Sequence, residues 1–158
     1  MNSEHKLILT QARSLLAGEN DRIANAANLS ALVWNNWADI SWVGFYFLQA
    51  DNLILGPFQG QPACTRIALG SGVCGQAAQS GATLRVADVN QFPGHIACDA
   101  GSASELVVPL FGAAGVIGVL DIDSYRLDRF DHDDAAFAEA LATIFVDSLG
   151  QRLERNPH

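Results

Sequence analysis

The chain has 158 residues, 49% of them hydrophobic, with 17 acids against nine lysines and arginines and a formal net charge of −8. That length fits one domain, residues 1–158, with a core of useful size, and the acidic balance argues against nucleic acid and anionic lipid as main partners. No apolar run approaches the roughly 18 residues needed to span a membrane, and the opening MNSEHKLILTQARSLLAG reads as an amphipathic helix rather than a signal peptide, so a cytoplasmic protein with reduced thiols is expected.

Residues 4–18 place Leu7, Ile8, Ala12, Leu15 and Leu16 at helical spacing, and Gly18 stops that helix. Asn20 or Asp21 caps a second helix that runs to Asn36, with Ile23, Ala27, Leu29, Leu32 and Val33 as its predicted buried stripe. The period then changes. Residues 41–48 are aromatic and β-branched and predict a strand. A turn at Asp51-Asn52 returns the chain through residues 53–58, where Pro57 demands a short, irregular or edge strand. Residues 64–69 predict a third strand that includes Cys64, residues 73–79 a short helix, and residues 83–87 a fourth strand. Residues 88–105 form a long connection. Residues 106–111 and 116–123 predict two more strands, and Asp131 or Asp134 caps a last helix with the stripe Phe137, Leu141, Ile144, Phe145 and Leu149. Six strands with hairpin-like connections and helices at both ends predict an α+β fold with a mainly antiparallel sheet. The terminal helices cover one face.

The long connection carries Pro93-Gly94-His95-Ile96-Ala97-Cys98-Asp99. Long ordered loops in small domains usually serve function. Three cysteines is an odd count, which points away from a disulfide framework and toward thiol chemistry, metal binding or burial. Cys64, Cys74, His95 and Cys98 are ligand types for zinc, yet no C-x-x-C pair is present. Gly70-Ser71-Gly72-Val73-Cys74-Gly75 matches G-x-G-x-x-G, but in a mid-chain, antiparallel setting with a short helix. A tight turn for close helix packing is the plainer explanation, and the helix start is expected to hold an anion and lower the Cys74 pKa. The remaining reading is redox: a loop thiol beside His95 and Asp99 can ionise and act as a nucleophile, with two further cysteines available to resolve a sulfenic acid.

The acids are a second signal. Asp121 and Asp123, at i and i+2 in an apolar strand, project from one face, and Glu105 opens the neighbouring strand. Such acids either mark an exposed strand end or cluster in a site where mutual repulsion raises a pKa and makes a proton donor. Trp42, Gly44 and Tyr46 also alternate onto one face, as core or as the wall of a small-molecule pocket.

Taken together, Trp42-Val43-Gly44-Phe45-Tyr46, Leu55-Gly56-Pro57-Phe58-Gln59-Gly60, Pro62-Ala63-Cys64, Gly72-Val73-Cys74-Gly75, Phe92-Pro93-Gly94-His95-Ile96-Ala97-Cys98-Asp99 and Gly118-Val119-Leu120-Asp121-Ile122-Asp123-Ser124 resemble the free methionine-(R)-sulfoxide reductases. The resemblance covers about residues 20 to 150. It implies a GAF domain with the short helix and long loop on the face opposite the terminal helices. It also implies reduction of free L-methionine-(R)-S-oxide to L-methionine, with no metal or organic cofactor and with thioredoxin or a similar reductant as partner. Cys98 would be the nucleophile and Cys64 the main resolving cysteine, with Cys74 second. Glu105, Asp121 and Asp123 would bind the substrate and polarise the sulfoxide, Glu105 or Asp123 giving the proton and Asp121 pairing with the ammonium. Trp42 would pack on the substrate methyl group with Tyr46 nearby. The substrate carboxylate would take backbone N–H donors from the loop before Cys98. Ala100-Gly101-Ser102-Ala103-Ser104 is less polar than the family's usual segment, with no catalytic residue lost. A homodimer through the terminal helices is the assembly the resemblance favours. The rival class is a non-catalytic GAF sensor of a small molecule, which has no use for three cysteines in these positions.

Overall fold

Alternating side chains in the strands sort the protein into two cores on opposite faces of one sheet. A computed structural model describes residues 1–96 and 101–153. Two helices, α1 (Ser3–Leu16) and α2 (Arg22–Asn36), lead into β1 (Trp42–Gln49), β2 (Asn52–Gly60) and β3 (Arg66–Ala68). Then come α3 (Gly72–Ser80), β4 (Leu84–Val86), β5 (Ser104–Gly112), β6 (Gly115–Ser124) and α4 (His132–Leu149). The strands lie in the order β3-β2-β1-β6-β5-β4, with every pairing antiparallel.

Successive strand residues point to opposite faces. Val43, Phe45 and Phe47 of β1, Leu106, Val108 and Leu110 of β5, and Leu120 and Ile122 of β6 therefore meet α1, α2 and α4 in the larger core. The residues between them, Trp42, Tyr46, Val107 and Val119, form the second core with α3. This matches the expected α+β architecture, with terminal helices on one face and the short helix on the other. β3 pairs only with Asn52 to Ile54 of β2. Pro57 lies beyond that ladder, where its missing N–H costs no sheet hydrogen bond.

Four expectations need correction. On α2, the buried residues are Asn25, Ala26, Leu29, Ser30 and Val33, while Ile23 stands 54% exposed and Ala27 is exposed. The buried face contains polar groups that find partners. Asn25 Nδ2 donates to the Glu19 carbonyl at 2.8 Å and to Ser148 Oγ at 2.9 Å, and Ser30 Oγ donates to the Pro57 carbonyl at 3.4 Å. An apolar-only pattern misplaces such a face. On α1, likewise, Leu7 and Leu15 are exposed while His5 is buried. Its ring contacts Asp134 at 3.0 Å and stacks on Phe137, and Arg129 Nη1 donates to the same carboxylate at 3.2 Å. The third strand is shorter than expected, so Cys64 precedes it. The long connection is also shorter: Val89–Gln91 forms one turn of 3-10 helix, and β5 already begins at Ser104.

Gly44 makes room for an aromatic wall. A Cβ there would run into the Cβ of Phe58 and lie 2.8 Å from the Trp42 ring. Its absence lets Trp42 lie over β1 and stack on Phe58 at 5.2 Å.

Candidate active site

The register of three central strands assembles the site. Trp42 on β1 is paired with Asp123 on β6, and Asp123 with Glu105 on β5. In the adjacent row, Gly44, Asp121 and Val107 lie side by side. Paired positions share a face, so Trp42, Asp123, Glu105 and Asp121 all point toward α3. The acids do not mark an exposed strand end: Asp121 is 5% and Asp123 8% exposed.

These residues line a cavity of about 40 Å³. Trp42 and Tyr46, stacked at 6.0 Å, form one wall with Ile67. The start of α3, from Ser71 to Cys74, forms another. His95, Ile96 and Ser102 flank the cavity from the long connection, and Ala63 from the segment before β3. Trp42 Nε1 donates to the Gln61 carbonyl at 3.0 Å, and the Tyr46 hydroxyl to the Cys64 carbonyl at 2.9 Å. Both aromatic residues thus fix the segment that carries Cys64. Cys98 and Asp99 lie outside the described residues.

The site is an acidic hollow: Glu105, Asp121 and Asp123 line it, with no lysine or arginine among the described lining residues. Burial pushes the Asp121 carboxyl well above the usual range, and the charge of Asp123 adds to the shift. Glu105 is half-buried by surface, yet the protein packed around its carboxyl makes burial the largest cause of a raised pKa, with Asp121 second. Tyr46 is raised by burial and then by Asp121. Burial and mutual repulsion favour the protonated form of carboxyls so arranged, which can give up a proton to a bound group. Asp121 Oδ1 is buried without a hydrogen-bond partner among the described residues, an arrangement that favours a donor or cation in the cavity.

Cys74 reverses one expectation. It sits at the start of α3, where the helix end was expected to lower its pKa. Instead its pKa is raised well above the ordinary thiol value, by burial first and then by Asp121 and Glu105. Its Sγ lies 3.9 Å from Glu105 Oε2. Desolvation and two acids outweigh the helix end, and Cys74 rests as a thiol. The zinc-type set of three cysteines and His95 also fails to gather in its described members. The ligand-type atoms that do come together are Cys74 Sγ with one oxygen each of Glu105 and Asp121. The G-x-G-x-x-G run is explained by packing: a Cβ on Gly75 would lie 2.5 Å from the Ala68 carbonyl oxygen.

Sequence reasoning passed over Ile67, Ser71, Val73 and Ser102 as lining residues. Their neighbours in the cavity come from distant elements, and no local pattern marks them.

Comparisons with known proteins agree with one another. A GAF domain family model matches residues 21–148. The free methionine-R-sulfoxide reductase of Escherichia coli is 49% identical over 132 residues, covering 83% of this chain and 80% of that protein. The reduced form of fRMsr from Staphylococcus aureus superposes with a TM-score of 0.90 at 51% identity, over 92% of this chain and 95% of that one. The free methionine-R-sulfoxide reductase of Neisseria meningitidis, solved in complex with its substrate, gives a TM-score of 0.90 at 44% identity, over 94% of this chain and 91% of that one.

Proposed function

Because the chain belongs to the free methionine-R-sulfoxide reductase family of GAF domains, we propose that it reduces free L-methionine-(R)-S-oxide to L-methionine by thiol chemistry. The observation that carries the proposal is the row Trp42–Asp123–Glu105 with Asp121 beside it, facing one cavity.

In this mechanism the Cys98 thiolate attacks the sulfoxide sulfur. Glu105 or Asp123 hydrogen-bonds the sulfoxide oxygen and protonates it as the S–O bond breaks. The raised pKa of Glu105 supports the proton-donor role. Oxygen passes to Cys98 as a sulfenic acid, and methionine leaves. Cys64 attacks that sulfur, water departs and a disulfide remains. Cys74 is the second candidate for this step, although its raised pKa disfavours it. The sulfoxide is reduced to the thioether while two thiols are oxidised to one disulfide, and a thioredoxin-type dithiol returns them by exchange.

Selectivity follows from the charges. A free amino acid carries an ammonium group that a peptide-bound residue lacks. Asp121, whose Oδ1 has no partner among the described residues, is the natural counter-charge, since an incoming ammonium favours the ionised form of its carboxyl. Trp42 receives the methyl group, with Tyr46 behind it. The carboxylate takes backbone donors from the segment before Cys98. No helix among the described residues is long and apolar enough to cross a membrane; a cytoplasmic site of action belongs to the same proposal. So does a homodimer through the terminal helices, where Leu7 and Leu15 stand exposed, and sedimentation as a monomer would remove it.

The test is turnover with thioredoxin, its reductase and NADPH on three substrates. The free R epimer is expected to turn over, with little activity on the S epimer or on a peptide-bound sulfoxide. Binding of the free R form without turnover would instead indicate a sensor.

A further inference from the structure

In the proposed mechanism Cys74 is not needed for the nucleophilic step and is only the second candidate for the resolving one. Its surroundings fit another role. Its Sγ and one oxygen each from Glu105 and Asp121 all lie within 4.8 Å of one another. The three come from α3, β5 and β6, so the sheet register and the seat of α3 fix their spacing. Independently, Asp121 Oδ1 is enclosed, has no hydrogen-bond partner among the described residues and lines the same cavity. One thiol and two carboxylates form a mixed sulfur–oxygen donor set. A sulfur donor disfavours magnesium and calcium, and a tetrahedral site with three protein ligands and one open position suits zinc.

We propose that Cys74, Glu105 and Asp121 form a binding site for a zinc-class divalent cation that reversibly closes the pocket. On binding, the cation takes the Cys74 sulfur as thiolate and Glu105 and Asp121 as carboxylates, and the protons these groups held pass to solvent, with no change of oxidation state. The positive charge offsets the repulsion among the acids, and a water completes the coordination. The donor atoms close to roughly 3.5 Å of one another, the spacing that tetrahedral geometry with ordinary zinc bond lengths requires. The ion then occupies the carboxylates that would otherwise hold the substrate. Competition with substrate therefore rests on the reductase reading, whereas cation binding does not.

The experiment uses the full, reduced, metal-free protein titrated with Co²⁺, followed by the thiolate-to-cobalt charge-transfer band, with Zn²⁺ displacement read by calorimetry. The expected result is one site per chain with a thiolate band. Cys74→Ala abolishes the band, and Asp121→Asn weakens affinity at least about ten-fold. Cys98→Ser and Cys64→Ser keep the band. Cys74→Ser serves as a second variant, and thermal melts confirm that each protein is folded. A wild-type protein without a thiolate band overturns the proposal. So does a band that survives Cys74→Ala and disappears with Cys64→Ser or Cys98→Ser. Free methionine-R-sulfoxide added to the Cys98→Ser protein is expected to lower the apparent Co²⁺ affinity; unchanged affinity overturns the shared-site claim. Because the band needs no turnover, failure of the cation site and failure of the reductase reading give different results.

Discussion

Cys98→Ser is expected to abolish methionine release from free methionine-R-sulfoxide in a single-turnover experiment, to below detection. The physical reason is the loss of the attacking sulfur, since a serine hydroxyl is not ionised near neutral pH and accepts oxygen poorly. Cys64→Ser has a different signature. The first methionine should still be released, because in the proposed mechanism attack at the sulfoxide precedes disulfide formation, but recycling by a thioredoxin-type reductant should slow and the sulfenic acid persist for trapping. Full recycling without Cys64 would move the resolving role to Cys74. Given the raised pKa of Cys74, that route should accelerate with pH as the Cys74 thiolate population grows. Quantifying methionine in the quenched reaction, with a sulfenic-acid probe on the protein, separates these outcomes. Methionine release by Cys98→Ser at the wild-type level would contradict the assignment.

Glu105→Gln and Asp121→Asn are expected to give proteins that are more stable and less active. Burial raises the folded-state pKa of both carboxyls. The unfolded chain releases those protons near the ordinary values, 4.5 for Glu105 and 3.8 for Asp121. Their contribution to stability is therefore fully present below the unfolded values. It is lost as pH rises through the folded ones, where the fold must either hold the proton or bury a charge. An amide keeps the shape without that loss, so each variant gains about 0.5–2 kcal/mol at pH 7, and its stability falls less as pH rises from acid to neutral. If Glu105 is the proposed proton donor, Glu105→Gln is expected to lower kcat by about 10²–10⁴-fold. Asp121→Asn is expected to weaken the proposed pairing with the substrate ammonium and to act mainly through KM. Thermal unfolding across pH, together with steady-state kinetics, checks both halves. A Glu105→Gln or Asp121→Asn protein less stable than wild type at pH 7, yet equally active, would contradict the account.

Much of this site was legible in the chain because strand geometry is periodic. Asp121 and Asp123 share a face by their spacing alone, and both prove to be buried in the same cavity. Glu105 beside them follows from the hairpin that joins β5 and β6. Trp42 and Tyr46 follow from the same alternation on β1. What sequence could not supply depended on neighbours remote in the chain. The α2 face is rotated because Asn25 and Ser30 are buried and satisfied by Glu19, Ser148 and Pro57. His5 reads as an exposed polar residue until Asp134 and Phe137 meet it. The sign of the Cys74 shift was misread because the helix start is local, whereas the acids that oppose it arrive from β5 and β6. The cysteines themselves carry no period. Their placement suggested a loop nucleophile with two possible resolving partners, and only the ranking of Cys64 over Cys74 came from family resemblance.

The most direct test is stoichiometric. Reduced protein is mixed with excess free methionine-R-sulfoxide in the absence of any external reductant, and methionine and remaining thiols are counted. The account predicts methionine equimolar with the protein and loss of two thiols per chain, with none of either from the S epimer. Methionine formed without thiol loss, or thiols lost without methionine, would contradict it.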